Sequence, residues 1–213
     1  MILYRPTDGD VQGTPIRWRP RKAFLMAQLG APVPEVVREI RAAVKDVLSE
    51  STFGLVDADS VTTGKDFLLK IWQLVLSVPI GIAIVHEGIP PSTMANIFYE
   101  LGWMQAYGKE TIVVKAGSLA IPSDFVRTEY VPYDDHFERR FRSFVNELEE
   151  RANYYIVISE QVERNPLLAI DYLRRAYLLT GDESLRKRAK DIFSSAGFEG
   201  RAKNSVETLL TSF

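Results

Sequence analysis

From Lys22 onward, short continuous apolar runs alternate with longer stretches whose apolar residues recur every three or four positions. Ala23 to Ala27 is the first run, and Pro34 to Leu48 follows it with Val37, Ile40, Val44 and Leu48 at helical spacing. Phe53 to Val56 predicts a short strand, Lys65 to Ser77 a helix, and Ile80 to Val85 a strand that is apolar throughout. A helix over 94–107 stops at Gly108, a residue suited to the left-handed turn at a helix end, and leads into a strand from Thr111 to Lys115. Thr128 to Tyr133 predicts the last strand. After residue 134 the pattern becomes long, charged and helical. Tyr154 to Ile158 reads as a buried helix segment, and Leu167–Thr180 with Glu183–Ser194 reads as a helical hairpin turning at Gly181-Asp182. Ahead of Lys22, two β-prone pieces, Ile2–Arg5 and Ile16–Arg19, flank turn-rich sequence and predict an arm or hairpin.

Strands apolar at every position, rather than alternately, are strands covered on both faces. The pattern therefore predicts an α/β fold with a flavodoxin-like parallel sheet of about five strands, helices on both faces, and a helical C-terminal extension. The expected divisions are an arm at 1–21, the α/β domain at 22–134 and the extension at 135–213. Such sheets bind ligands beyond the carboxyl ends of their strands, where strand order reverses. That places interest on Gln28-Leu29-Gly30, on Asp57-Ala58-Asp59, and on the segment from His86 to Thr93.

Composition narrows the chemistry. There is no cysteine among the 213 residues, which removes disulfides, thiolate metal sites and cysteine nucleophiles and suits a cytoplasmic setting. His86 and His136 stand alone, so no metal site is expected. The N-terminus lacks a basic segment followed by an apolar run, and no stretch approaches the ~20 apolar residues of a membrane helix. With 26 basic and 28 acidic residues, no membrane or nucleic-acid partner is called for. Arg139, Arg140, Arg142, Arg174 and Arg175 are interspersed with Glu138, Glu147, Glu149 and Glu150, the mixture of a solvated helix surface rather than a phosphate-binding stripe.

One acid stands out. Glu100 lies among Phe98, Tyr99, Leu101 and Trp103, toward the start of the helix predicted at 94–107. At ~100° per residue, Ile97, Leu101 and Met104 share one face, while Asn96, Glu100, Trp103 and Tyr107 form the adjacent stripe. An amide, a carboxylate and two aromatic rings in line suit a nucleoside, the carboxylate on the sugar and a ring against the base. The same residues equally describe a helix-start acid favoured by the macrodipole, with aromatic groups filling the core.

The run Asn96-Ile97-Phe98-Tyr99-Glu100-Leu101-Gly102, followed by Ala106-Tyr107-Gly108-Lys109 and an apolar strand, resembles the signature of the superfamily that joins nucleoside 2-deoxyribosyltransferases, nucleotide N-glycosidases and bacterial TIR-like domains. Supporting segments stand in the same order: Phe24 to Ala27, the helix with Asp66 and Ile71, Ile80 to Val85, Ile121 to Phe125, and Val131 to Asp134. The resemblance covers residues 22–134 and implies that Glu100 is catalytic. In the transferases the matching carboxylate attacks the anomeric carbon, the device of a retaining glycosidase; in TIR-like NAD hydrolases it orients the ribose and stabilises the oxocarbenium-like charge. The function implied is N-glycosidic cleavage or transfer on NAD or a related nucleotide, with no cofactor required, in a homo-oligomer, in a setting such as antiphage defence. Candidate substrate-binding residues are Gln28, Asp57, Asp59, Asp66, Asn96 and Trp103, although Asp66 equally fits a first-turn helix acid. The chain departs from the family pattern between His86 and Ala95, where relatives carry an acid and an Asn-Pro-Asn, and Met94 stands where the transferases have an aspartate. That altered loop admits a second function, a non-catalytic nucleotide sensor or adaptor whose C-terminal helices contact a protein partner.

Overall fold

A computed structural model of the chain describes residues 5, 8–10, 16–58, 67–121, 125, 130–197, 207 and 210. Its contacts separate two compact units, Lys22–Val145, and Met1–Arg21 together with Asn146–Phe213.

The first unit is built on one five-stranded sheet. Strands β1 (Lys22–Met26), β2 (Gly54–Asp57), β3 (Ile80–Val85), β4 (Glu110–Lys115) and β5 (Tyr130–Pro132) lie in the order β2-β1-β3-β4-β5. All four neighbouring pairs are parallel, so the architecture is α/β and flavodoxin-like. β3 is buried at each position, as its uninterrupted apolar sequence requires of a central strand sandwiched between helices. The connecting helices are α1 (Glu35–Glu50), α2 (Phe67–Ser77) and α3 (Pro91–Ala106). Right-handed crossovers put α1, which steps from β1 to β2, on one face, and α2 and α3, which step the other way, on the opposite face. Strand order reverses between β1 and β3, and the loops after these two strands flank the crevice there.

Helix α3 begins earlier than the sequence pattern predicts. Pro91 occupies its first turn, where a missing backbone N–H costs nothing, and the helix closes at Tyr107 before Gly108 with φ +63°. Glu100 is thus its tenth residue, ~14 Å along the axis, rather than an acid near the helix start. Ile97, Leu101 and Met104 are buried against the sheet as expected. Across to α2, the Trp72 Nε1–H donates to the Tyr107 hydroxyl at 2.8 Å. Over β3, Gly81 leaves room for two methionines: a Cβ there would lie 2.9 Å from Met104 Cε and 3.0 Å from Met26 Cε.

The amino-terminal third of α4 (Phe137–Gln161) belongs to the first unit and buries Phe137 and Phe141, their rings stacked with centroids 5.5 Å apart. Its Arg142 pairs with Glu50 at the end of α1.

In the second unit, α5 (Pro166–Thr180) and α6 (Glu183–Ser195) form the expected hairpin. Gly181 ends α5 at φ +73°, and Asp182 starts α6 by accepting the Ser184 N–H at 2.8 Å. The segment Ile16–Arg19 is not a strand. Its Trp18 is buried under the Arg174 guanidinium, 4.7 Å from the ring centroid, so packing rather than a β-ladder orders it. The rest of the expected arm falls mostly outside the described residues. Tyr154 to Ile158 is helical within α4 but not buried throughout, because a helix turns its sides alternately inward and outward: Tyr155 is 9% exposed, Tyr154 53%. No described helix is long and apolar enough to cross a membrane.

A candidate active site on helix α3

Four α3 residues form the stripe beside its buried face: Asn96, Glu100, Trp103 and Tyr107. Asn96 is exposed; the other three are half-buried. The Trp103 ring packs on Tyr99 with centroids 4.4 Å apart, and on the far side of the helix Phe98 meets Phe125 at 5.1 Å. Glu100 stands one turn before Trp103 on this stripe and is half-buried.

No hydrogen bond or ion pair meets that carboxylate among the described residues. The elements packed on α3 bring few charged groups: Lys70 on α2, Lys22 on β1, Glu110 and Lys115 on β4, and none on β3. None of them pairs with Glu100. Burial alone acts on it and raises its pKa from 4.5 to about 7. Placed three turns into the helix, Glu100 is also beyond the reach of the macrodipole at the N-terminus, which acts within the first turn. The macrodipole account of this acid therefore fails, while a carboxylate held partly dehydrated and unneutralised is the state in which it interacts most strongly with an arriving sugar or cation.

The other candidate residues are dispersed around the carboxyl ends of the strands. Gln28 follows β1 and is 5% exposed. Its Nε2 donates to Gly30 O at 2.9 Å and Pro32 O at 2.7 Å, which fixes which end of the amide is nitrogen. Its Oε1 is buried and accepts nothing among the described residues. Asp57 ends β2 and is paired with Arg41 of α1. A ligand reaching Asp57 would compete with that guanidinium. Asp59 and Asp66 lie outside the described residues.

The loop after β3 holds two interactions that sequence reasoning did not single out. The His86 Nδ1 accepts the Gly88 N–H at 2.9 Å, so the neutral ring carries its proton on Nε2. The Glu87 carboxylate accepts the Ser118 N–H at 2.9 Å, and this backbone donor is the main cause holding its pKa below the usual glutamate value. Gly117, at φ +71°, lets the chain pass there, since a Cβ would overlap the Glu87 carboxylate. The loops after β3 and β4 are thus joined by a side chain. The sequence signal for this is slight, an acid two residues after a buried strand and a Gly-Ser beginning two residues after its neighbour.

A five-stranded parallel sheet with a reversal between β1 and β3 defines a flavodoxin-like α/β architecture, and α3 carries on it a carboxylate that is unneutralised among the described residues. No family model matches the chain, and no curated protein matches it. Among solved structures, it is similar to the CMP N-glycosidase BcmB of Clostridium botulinum, at 17% identity and a TM-score of 0.39, over 59% of this chain and 98% of that one.

Proposed function

We propose that the chain breaks the N-glycosidic bond of a nucleotide, with the Glu100 carboxylate acting on the ribose and NAD as the first substrate to test. The observation that carries this reading is the Glu100 carboxylate itself, half-buried, unneutralised among the described residues, with its pKa raised by burial to about 7. A buried acid without a partner costs stability, so its retention is accounted for by a partner that arrives with the ligand.

The chemistry follows from charge. When the bond between C1′ and the base nitrogen breaks, both electrons leave with the base and the sugar becomes an oxocarbenium-like cation. Nicotinamide departing from NAD leaves neutral, so no general acid is needed on that side. An ionised carboxylate within ~3 Å stabilises the cation, which water then captures at C1′ with loss of a proton, or it bonds to C1′ as a nucleophile, and water then displaces it from C1′ with loss of a proton, returning the free carboxylate. Trp103, one turn along the same stripe, offers a ring face to the base, and Asn96 a polar group nearer the mouth.

The test is incubation of the purified chain with NAD and a panel of nucleotides, at a range of protein concentrations, with chromatography of the released base. The expected outcome is release from at least one nucleotide and a loss of about 10³-fold or more in Glu100→Gln. Equal release by the variant overturns the assignment. Tight nucleotide binding without turnover, unaffected by Glu100→Gln, favours the sensor or adaptor function instead.

A further inference from the structure

Helices α2 and α3, which cover one face of the sheet, carry almost no charge. Lys70 is the one charged residue of α2, and Glu100 that of α3. Helix α1, on the opposite face of the same sheet, has seven charged residues and turns Glu35, Arg38, Glu39, Lys45, Asp46 and Glu50 to solvent. That is the ordinary pattern of a helix with one side on a core and the other in water. In α3 the pattern fails. At ~100° per residue, Ala95, Tyr99, Gly102 and Ala106 lie on the side opposite Ile97, Leu101 and Met104. Ala95 and Ala106 are exposed, Tyr99 is 51% exposed, and a Cβ on Gly102 would meet nothing within 4 Å. On α2, packed beside α3 through the Trp72–Tyr107 hydrogen bond, the first turn leaves Phe67 49% and Leu68 41% exposed. A layer that is apolar on its outer as well as its inner side is one that another surface covers.

Charge, shape and size select what covers it. The outer side of α3 holds no ionised group, so a strongly acidic or basic partner gains nothing there, whereas two identical copies of the face meet without like charges opposed. The Tyr99 ring, packed on Trp103 with centroids 4.4 Å apart, makes a ridge, and Ala95, Gly102 and Ala106 leave low ground on the same side of the helix. Ridge and hollow on one surface are what an isologous contact requires, since a two-fold axis sets the ridge of each copy against the hollow of the other. The 16 residues of α3 extend ~24 Å, and α2 lies ~10 Å to its side, so the face measures about 500 Å². That is less than the ~800 Å² per partner of a standard stable interface, and it sets the association in the weak, concentration-dependent range.

We propose that the outer face of α2 and α3 docks a second copy of the chain, α3 against the partner's α3 across a two-fold axis, in a concentration-dependent homodimer. The proposal concerns assembly and does not depend on the reading of Glu100 as the group that meets a sugar.

Sedimentation velocity on the full chain between about 1 μM and about 1 mM tests it, and the wild type is expected to pass from monomer toward dimer within that range. Tyr99→Glu and Ala106→Glu each set an acid on both copies of the contact and are expected to weaken association about tenfold or more. Lys45→Glu, a charge change on the exterior of α1, is expected to leave association within about twofold of the wild type. A wild type that stays monomeric throughout overturns the proposal and leaves the face to a different protein. A dimer that persists in both Tyr99→Glu and Ala106→Glu, each folded by circular dichroism, overturns it as well, as does a loss in Lys45→Glu equal to theirs.

Discussion

At the scale of the residue, Glu100 carries opposing consequences for stability and for chemistry. Its pKa is about 7 in the folded chain against 4.5 when exposed. Below 4.5 the acid is protonated in both states and exerts no pH-dependent effect. Between 4.5 and 7 the unfolded chain loses the proton first, so stability falls as pH rises through this window, by an amount of order 3 kcal/mol, and is level above it. Glu100→Gln removes the titration. The variant is therefore expected to gain on the wild type by about 3 kcal/mol between pH 4.5 and pH 8, read as several degrees of additional thermal midpoint at the higher pH. Denaturation of both proteins across that range checks it; a constant difference between them would show that the carboxylate is neutralised by some other group. A substitution that stabilises the fold while removing activity is the mark of an acid kept for chemistry.

Elements were legible wherever the hydrophobic pattern was strong. β3, with all positions apolar, falls at Ile80–Val85 as the sequence predicts, and α1, α5 and α6 agree with their predicted spans to within two residues. The sequence pattern starts α3 three residues late because Pro90 and Pro91 resemble a loop by composition, whereas the second of them fits the first turn of a helix. Ile16–Arg19 reads as β by propensity yet forms no strand, because β-propensity reports a fit to a half-buried surface rather than a strand as such, and the surface here is a guanidinium over Trp18. Two glycines separate local conformation from packing. Gly102, inside α3, has open space where a Cβ would go, so Gly102→Ala is expected to stabilise by about 0.5–1 kcal/mol. Gly117→Ala meets both a positive φ and the Glu87 carboxylate and is expected to cost about 1–3 kcal/mol. Chemical denaturation of the two variants decides this, and a neutral Gly117→Ala would show that the Glu87–Ser118 link contributes little to the unit.

For the whole molecule, the site was only partly legible. Residue type and helical spacing were enough to single out Glu100 and its stripe, because the sequence surrounds one acid with apolar neighbours. The absence of a partner among the described residues was not readable, since it depends on which charged groups α2, β1 and β4 bring near. Gln28 could be placed at a strand end, but that its nitrogen is tied to Gly30 and Pro32 while its oxygen is bare is a fact of loop conformation. Asp57 looked as available as Gln28 in the sequence, yet Arg41, sixteen residues earlier and on another element, pairs with it. The links between the loops after β3 and β4 likewise join residues far apart in the chain.

The most direct test of Glu100 as the acting group is the pH dependence of base release from NAD, or from whichever nucleotide of the panel is turned over. If the ionised carboxylate acts, kcat/KM rises with pH, reaches half its maximum near 7, is about tenfold lower at pH 6, and is level in the alkaline range. Glu100→Gln is expected to abolish that rise together with the activity. A profile level from pH 5 to 8, or activity retained in the variant, would contradict the account.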